Sequence, residues 1–191
     1  MIYMGLRLGE ALAMRARNLD FDRMLYHVVE GFKRKVFKKP KGGKSRFVDV
    51  PEFLIAELEA HIAYLKKRGL KGGRGSSVDL LFADLAEKGG PWPYSQRKVQ
   101  SELKRVCKAA RLETRNPHDL RHTYATILLM AGVSPAYVQK QLGHSSIAIT
   151  VDVYGHWIPG EGRAGLEDAL NGGGEVVPNP VRKMHIFAYG K

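Results

Sequence analysis

The sequence predicts a mainly α-helical fold with one small antiparallel β-sheet, an α+β architecture. Two observations support this prediction. Apolar residues recur at helical spacing through most of the chain, and short strand patterns are confined to one early segment. With 191 residues, the chain is long enough for one domain with a hydrophobic core and a C-terminal tail.

The early part of the chain combines one helix with three short strands. Apolar spacing predicts a helix over about Leu8–Arg15, then strands around Tyr26–Glu30, Arg34–Lys38 and Arg46–Val50. The segment Pro40–Lys44 combines a proline with glycines, a composition typical of a turn. We therefore expect the last two strands to pair as a hairpin with this segment at its tip.

The remainder is predicted to be helical. Proline, serine and glycine mark the ends of five helices, which we place at about Pro51–Lys67, Ser95–Ala110, His118–Met130, Ser134–Leu142 and from after Ser146 to Tyr154. The periodicity weakens beyond this point. We therefore expect one domain over residues 1–157 and a tail over residues 158–191.

The chain is strongly basic. It contains 31 Lys and Arg residues against 19 Asp and Glu residues, which gives a formal net charge of +12. A surplus of this size is typical of proteins that bind polyanions, and nucleic acid is the commonest polyanion. The alternative is a protein that its charge merely keeps soluble.

Cysteine content and hydropathy exclude other classes. The single cysteine, Cys107, excludes an internal disulfide, and its apolar neighbours predict a packed helix position. No apolar run approaches the roughly 20 residues that span a membrane, and the first residues lack the pattern of a secretory signal. We therefore expect a cytoplasmic protein with no membrane partner.

One motif places a histidine and an arginine on the same helix face. His118 and Arg121 are three residues apart, and a guanidinium group can hold two phosphate oxygens at once. The alternative is a helix start with His118 near the cap and Arg121 in a surface ion pair. His118 and His122 also have a metal-ligand spacing, but Asp119 replaces the glutamate of a zinc-protease motif, so we expect no metal site.

Another histidine and a tyrosine follow within the next helices. His144 lies in the gap between two predicted helices, where it either faces an anion pocket or caps the preceding helix. Tyr154 lies ten residues further on. A phenol is a weak nucleophile at neutral pH unless a base or cations activate it, and most tyrosines are half-buried packing residues.

The segment Lys33–Arg46 contains eight basic residues and no acidic one. As a hairpin it would fit a groove of duplex DNA; the alternative is a solvated charged hairpin. The residues predicted to contact DNA are Lys33, Arg34, Lys35, Lys38, Lys39, Lys44 and Arg46. The helices over His118–Gly132 and Ser134–Leu142 also resemble a helix–turn–helix, so a DNA reader without catalytic chemistry is the strongest non-enzyme interpretation. It explains the charge but not the cluster of two histidines and a tyrosine.

Taken together, these segments resemble the tyrosine recombinases, the phage integrase family. In one-letter code, GLRLGE at residues 5–10, HDLRH at residues 118–122 and LGH at residues 142–144 are similar to the three boxes of that family. The resemblance implies as catalytic residues Arg7, His118, Arg121 and His144, with Tyr154 as the nucleophile and Glu10 as structural support.

The predicted hairpin is similar to the segment that holds the family's catalytic lysine. Lys41 fits that role best because it precedes the turn, and Lys44 is the second choice. The resemblance covers about residues 2–157 and implies a recombinase catalytic domain there. Because the first box begins at residue 5, we expect an N-terminally truncated chain without the family's separate DNA-binding domain. We expect residues 158–191 to dock on a neighbouring protomer.

The function that the resemblance implies is site-specific DNA recombination or integration. DNA strands are cut and rejoined through a 3′-phosphotyrosyl intermediate on Tyr154, without metal, ATP or small-molecule cofactor. Arg7 and Arg121 would hold the phosphate oxygens, Lys41 would protonate the leaving 5′-oxygen, and His118 would act as acid or base.

The resemblance also implies binding partners and a location in the cell. The partners are double-stranded DNA and further copies of the chain, as a dimer or tetramer on DNA. The place is the nucleoid of a prokaryote, with a phage or another mobile element as the source. Two alternatives stay open: a non-catalytic DNA-binding fragment of a decayed recombinase, and strand relaxation like that of a type IB topoisomerase.

Overall fold

Helices make up about half of the described chain. The computed structural model describes residues 1–40, 42–71, 79–84 and 92–154, apart from the side chains of residues 69–71, 153 and 154. Its helices are α1 (Leu8–Leu12), α2 (Glu52–Lys71), α3 (Gln96–Ala109), α4 (Pro117–Met130), α5 (Pro135–Leu142) and α6 (Ile147–Tyr154). None of these helices is long and apolar enough to cross a membrane.

Short antiparallel strands complete the fold, so the predicted α+β class is confirmed. The strands are β1 (Leu19–Asp20), β2 (Leu25–Val28), β3 (Gly31–Lys33), β4 (Val36–Lys38), β5 (Arg46–Asp49), β6 (Ala83–Asp84) and β7 (Trp92–Pro93). Within the described residues they form a three-stranded sheet of order β1-β2-β5 and the two-stranded sheets β3-β4 and β6-β7.

The hairpin predicted between the strands around residues 34–38 and 46–50 is wrong. Strand β4 pairs with β3, and β5 pairs with β2. Arg34 and Lys35 form the tight turn between β3 and β4, with φ of 52° and 61°, as a two-residue type I′ turn requires. Neither residue is the Gly or Asn that this turn prefers, so residues 34 and 35 carried no turn signal. The prediction therefore placed the turn at Pro40–Lys44, where a proline and two glycines stand.

The main hydrophobic core lies between the three-stranded sheet and α2. Tyr26, Val28 and Val48 of the sheet are fully buried, and Leu58 and Ile62 of α2 pack into the same cluster. This core holds the sheet in place, and with it the arginine at the start of β5.

A second core joins α4 to α5. Ala125, Val138 and Leu142 are fully buried there, at 0% exposure. The edge of β5 reaches this unit through Asp49, which accepts a hydrogen bond from the side chain of Gln141 at 2.6 Å. The end of α5 is therefore fixed against β5.

Helix ends agree well with the sequence prediction. The Ser95 side chain caps α3 by accepting from the backbone N–H of Lys98 at 3.1 Å. Cys107 is buried at 4% exposure, which confirms the predicted packed position. Helix α1 ends at Leu12, three residues earlier than predicted, because residues 16–18 form a 3₁₀ turn that leads into β1.

Candidate active site

Three arginine side chains converge on the C-terminus of α5. They donate to three consecutive backbone carbonyls, those of residues 141–143. Arg46 Nε donates to the first at 2.9 Å, Arg121 Nη2 to the second at 2.7 Å and Arg7 Nη2 to the third at 3.1 Å. The last carbonyls of a helix lack intrahelical partners and form the negative end of its dipole, so they stabilise cations there.

The carboxylate of Glu10 joins two of these arginines. It is 3% exposed and accepts from Arg7 Nη1 at 3.0 Å and from Arg46 Nη1 and Nη2 at 2.9 and 2.7 Å. Burial alone would raise the pKa of Glu10, but the hydrogen bond and charge of Arg46, followed by those of Arg7, lower it below its ordinary value. The carboxylate is therefore ionised and holds both guanidinium groups in fixed positions.

Arg121 is almost completely buried, at 2% exposure. Its Nη1 donates to the carbonyl of Gly5, which adopts a left-handed conformation with φ of 58°. A Cβ at Gly5 would lie 2.6 Å from the ring of Tyr124 and 2.9 Å from Leu142, so glycine is required on both counts. This placement excludes the alternative of a surface ion pair.

Gly143 ends α5 as predicted and lies against one of the arginines. Its φ of 66° is left-handed, and a Cβ there would lie 2.9 Å from both Cδ and Nε of Arg46. A side chain at this position would push Arg46 away from the carbonyl to which it donates.

His144 follows directly, beside the arginine cluster. Its Nδ1 lies 2.9 Å from the hydroxyl of Thr150, which is fully buried. Burial lowers the pKa of His144 to about 4, and the charges of Arg121, Arg7 and Arg46 act in the same direction. The ring is therefore neutral at pH 7 and can hydrogen-bond to phosphate without carrying charge.

His118 occupies the first turn of α4. Asn116 caps this helix by accepting from the backbone N–H of His118 at 2.8 Å, so the predicted position near a cap is correct. Burial lowers the pKa of His118, and the charges of His122, Arg121 and Arg7 act in the same direction. His118 lies three residues before Arg121 on the same helix.

An open groove of about 560 Å³ runs along one side of the cluster. Residues between Gly42 and Phe47 line one wall, and residues of α5 and the following turn, including His144, line the other. The predicted lysine Lys41 directly precedes this wall and lies outside the described residues. Tyr154 is the last residue of α6, which packs against α4 and α5, but its side chain also lies outside the described residues.

The predicted DNA-contacting residues divide into two groups. All but one of them are exposed: Lys33, Arg34, Lys35, Lys38, Lys39 and Lys44. Arg46 differs from the others, because its side chain is 12% exposed and bonded to Glu10, and its contact with DNA stays a prediction. Its guanidinium group is hydrogen-bonded to both carboxylate oxygens of Glu10.

Sequence reasoning missed other parts of the cluster. Thr150, whose hydroxyl contacts Nδ1 of His144, lies six residues further along the chain and carried no sequence signal of that contact. The link from Arg46 to Glu10 joins residues 36 positions apart, and local patterns do not report such pairs. Among the described residues, no group of three or more His, Cys, Asp and Glu side chains could hold a metal ion.

The chain is similar to known proteins over most of its length. The chain matches the model of the phage integrase family over residues 1–159. It is 35% identical over 146 residues to the tyrosine recombinase XerA of Thermococcus kodakarensis, covering 76% of this chain and 45% of that protein. It is 33% identical over 156 residues to XerC of Halalkalibacterium halodurans, covering 80% and 46%. The chain thus spans about half the length of the curated relatives it matches.

Solved structures with a similar fold include proteins bound to DNA. The XerH site-specific recombinase bound to its difH substrate is 25% identical, with a TM-score of 0.58, over 89% of this chain and 43% of that one. The Tn1549 transposon integrase in complex with transposon right end DNA has a TM-score of 0.64 at 24% identity, over 88% and 56%. The chain belongs to the phage integrase family of tyrosine recombinases.

Proposed function

We propose that the chain is the catalytic domain of a site-specific DNA recombinase that works without a metal ion or ATP. The observation that carries this proposal is the convergence of Arg7, Arg46 and Arg121 on the end of α5, beside His144. The cluster contains three guanidinium groups but only one carboxylate, that of Glu10, which pairs with Arg7 and Arg46, so these residues together carry excess positive charge. A DNA phosphate supplies the matching anion, and family membership supports the same reaction.

The proposed reaction is a pair of transesterifications. The Tyr154 hydroxyl loses its proton to a base, for which His118 is the candidate, and its oxygen attacks the scissile phosphorus. The bond from phosphorus to the 5′-oxygen breaks, and that oxygen takes a proton from Lys41. The 5′-hydroxyl of a second strand then gives its proton to Lys41 and attacks the phosphorus of the 3′-phosphotyrosyl link. The bond from phosphorus to the Tyr154 oxygen breaks, that oxygen takes back the proton from His118, and the number of phosphodiester bonds is conserved.

The arginines stabilise the transition state of both steps. Negative charge accumulates on the non-bridging oxygens of the five-coordinate phosphorus, and Arg7 and Arg121 neutralise it in place of a metal ion. A fixed donor of this kind contributes roughly 3–4 kcal/mol, or about 10²–10³ in rate. Arg7 is the more accessible of the two, at 25% side-chain exposure against 2% for the whole of Arg121.

The proposed partners are double-stranded DNA and further copies of the chain. The exposed basic residues between Lys33 and Lys44 supply phosphate contacts, and Lys44 among them lines the groove. We expect residues 1–157 to form the catalytic domain and residues 158–191 to dock on a neighbouring protomer in a dimer or tetramer. The reaction takes place on DNA at the nucleoid, in the cytoplasm.

The test is a covalent-capture experiment. The protein is incubated in EDTA with a nicked suicide duplex, and adducts are separated on a denaturing gel. We expect an adduct with the wild type and none with Tyr154→Phe, which keeps the ring and removes the nucleophilic oxygen. An adduct that persists in Tyr154→Phe would assign the nucleophile to another residue.

This experiment, together with an assay on supercoiled DNA, separates the alternatives. Duplex binding without any adduct would identify a non-catalytic DNA-binding fragment. Relaxation of supercoiled DNA without transfer to a second duplex would identify a topoisomerase-like reaction, in which the original strand is resealed.

A further inference from the structure

Arg46 uses all three of its guanidinium nitrogens on protein acceptors. Nη1 and Nη2 bind both oxygens of Glu10 at 2.9 and 2.7 Å, and Nε binds the carbonyl of Gln141 at 2.9 Å. The side chain is 12% exposed. Arg46 therefore ties the start of β5 to α1 and to the end of α5.

These contacts coincide with those of the first arginine. The side chain of Arg7 donates to Glu10 and to the carbonyl of Gly143. Arg46 contacts both of these groups, since it pairs with Glu10 and packs so closely on Gly143 that a Cβ there would lie 2.9 Å from its Nε. Two groups therefore hold the side chain of Arg7, the carboxylate of Glu10 and the carbonyl of Gly143, and Arg46 contacts both residues.

We propose that Arg46 is a positioning residue of the active site, which fixes Glu10 and the end of α5 and thereby aims Arg7 at the reacting phosphate. The inference rests on the proposed function, because Arg7 has a phosphate to meet only if the chain cleaves DNA. Lysine cannot replace Arg46 here, since one ammonium nitrogen cannot bind three acceptors held in a planar fork. Misplacement of a catalytic group by about 1 Å lowers a rate on the order of 10²-fold.

The test is a double-mutant cycle on covalent adduct formation. Single-turnover rates are measured at saturating suicide duplex in EDTA for the wild type, Arg46→Lys, Arg7→Lys and the double variant. We expect Arg46→Lys to reduce the rate on the order of 10²-fold, with the Kd for DNA and its salt dependence unchanged. If Arg46 acts through Arg7, the double variant is no slower than Arg7→Lys alone.

Other outcomes overturn the proposal. Rate reductions that multiply in the double variant would show that Arg46 acts independently of Arg7, and a weaker Kd with a flatter salt slope would make it a DNA contact. If Arg46→Lys does not fold, Glu10→Gln replaces it in the cycle, because it keeps the side-chain shape and removes the charge that Arg46 and Arg7 share. Absence of any wild-type adduct would instead reject the proposed function itself.

Discussion

The arginines at the end of α5 and the basic residues of the β3–β4 hairpin carry the same charge in opposite surroundings. Arg46 and Arg121 are 12% and 2% exposed and donate to helix carbonyls. Lys33 and Arg34, by contrast, are exposed on the hairpin. A buried cation is costly unless it is paired and hydrogen-bonded, and the internal acceptors of the first group hold its guanidinium groups in fixed positions. The second group is suited to a long, mobile chain of phosphates.

The contrast shows what net charge does and does not reveal. A formal charge of +12 predicts a polyanionic partner. Under the proposed function, burial and hydrogen bonding separate the charges that attract DNA from those that stabilise the reaction. Variants of the first group should change rates, and variants of the second should change affinity.

The largest expected effect comes from the most buried arginine. Arg121→Lys keeps the charge but replaces the two nitrogens that donate separately to the carbonyls of Gly5 and Leu142 with a single ammonium nitrogen. We expect single-turnover cleavage to fall about 10²–10³-fold. Arg105→Lys is the control, because its side chain is 72% exposed on α3 and pairs with Glu102. Equal reductions in the two variants would remove the distinction between buried and exposed arginines.

A second variant disturbs the same cluster through the backbone. Gly143→Ala combines a left-handed conformation with a contact of 2.9 Å to Arg46. Left-handed strain costs on the order of 1–3 kcal/mol in the free energy of unfolding, and we expect cleavage to fall further than the folded fraction does. Gly132→Ala is a matched control, since its φ is 74° but a Cβ there meets nothing within 4 Å.

The comparison of Gly143→Ala with Gly132→Ala tests whether displacement of Arg46 slows cleavage. Chemical denaturation gives the stability of each variant, and the suicide-duplex assay gives its rate. If cleavage falls as much in Gly132→Ala as in Gly143→Ala, displacement of Arg46 is not the cause.

Variants of the hairpin should act on affinity alone. Lys33→Gln and Arg34→Gln each remove one exposed charge from the turn region. Each phosphate that the protein no longer neutralises should flatten the slope of log K against log salt by about 0.9, while the cleavage rate at saturating DNA stays constant. Lys66→Gln, an exposed lysine of α2, serves as the control. An unchanged slope in the hairpin variants would show that this turn does not meet DNA.

The smallest expected effect is a pH dependence of stability. The pKa of His144 is lowered from its ordinary 6.5 to about 4 in the folded protein, chiefly by burial and then by Arg121. Between these values the unfolded chain binds a proton that the folded one does not, so falling pH destabilises the fold. The Tm should therefore fall from pH 6.5 towards pH 4 more steeply in the wild type than in His144→Gln. Parallel curves would show that this histidine is not the titrating group.

Much of this site was predictable because its motifs are local. The segment around Arg121 and the turn at His144 each fit within a few residues, and helix spacing orients their side chains. Helix ends marked by Ser95 and Gly143 were predictable for the same reason, since capping depends on adjacent residues.

The errors concern pairings that are distant in sequence. The β3–β4 turn uses Arg34 and Lys35, which lack the glycine signal of such turns. In the sequence Arg46 is one of eight basic residues in a single segment, and nothing nearby indicates that its partner is Glu10 of α1. Strand pairing and buried ion pairs are tertiary choices, so sequence patterns alone did not resolve them.

The most direct test compares the two groups in one assay. Single-turnover cleavage of a suicide duplex in EDTA is measured across DNA concentrations for Arg7→Lys and for Lys33→Gln. We expect Arg7→Lys to lower the saturating rate about 10²-fold or more at an unchanged Kd. Lys33→Gln should raise the Kd and leave the saturating rate intact. The account would be contradicted if Arg7→Lys changed only the Kd and Lys33→Gln only the rate, or if both variants changed rate and Kd equally. Either result would remove the division into a catalytic group at the end of α5 and a binding group on the β3–β4 hairpin.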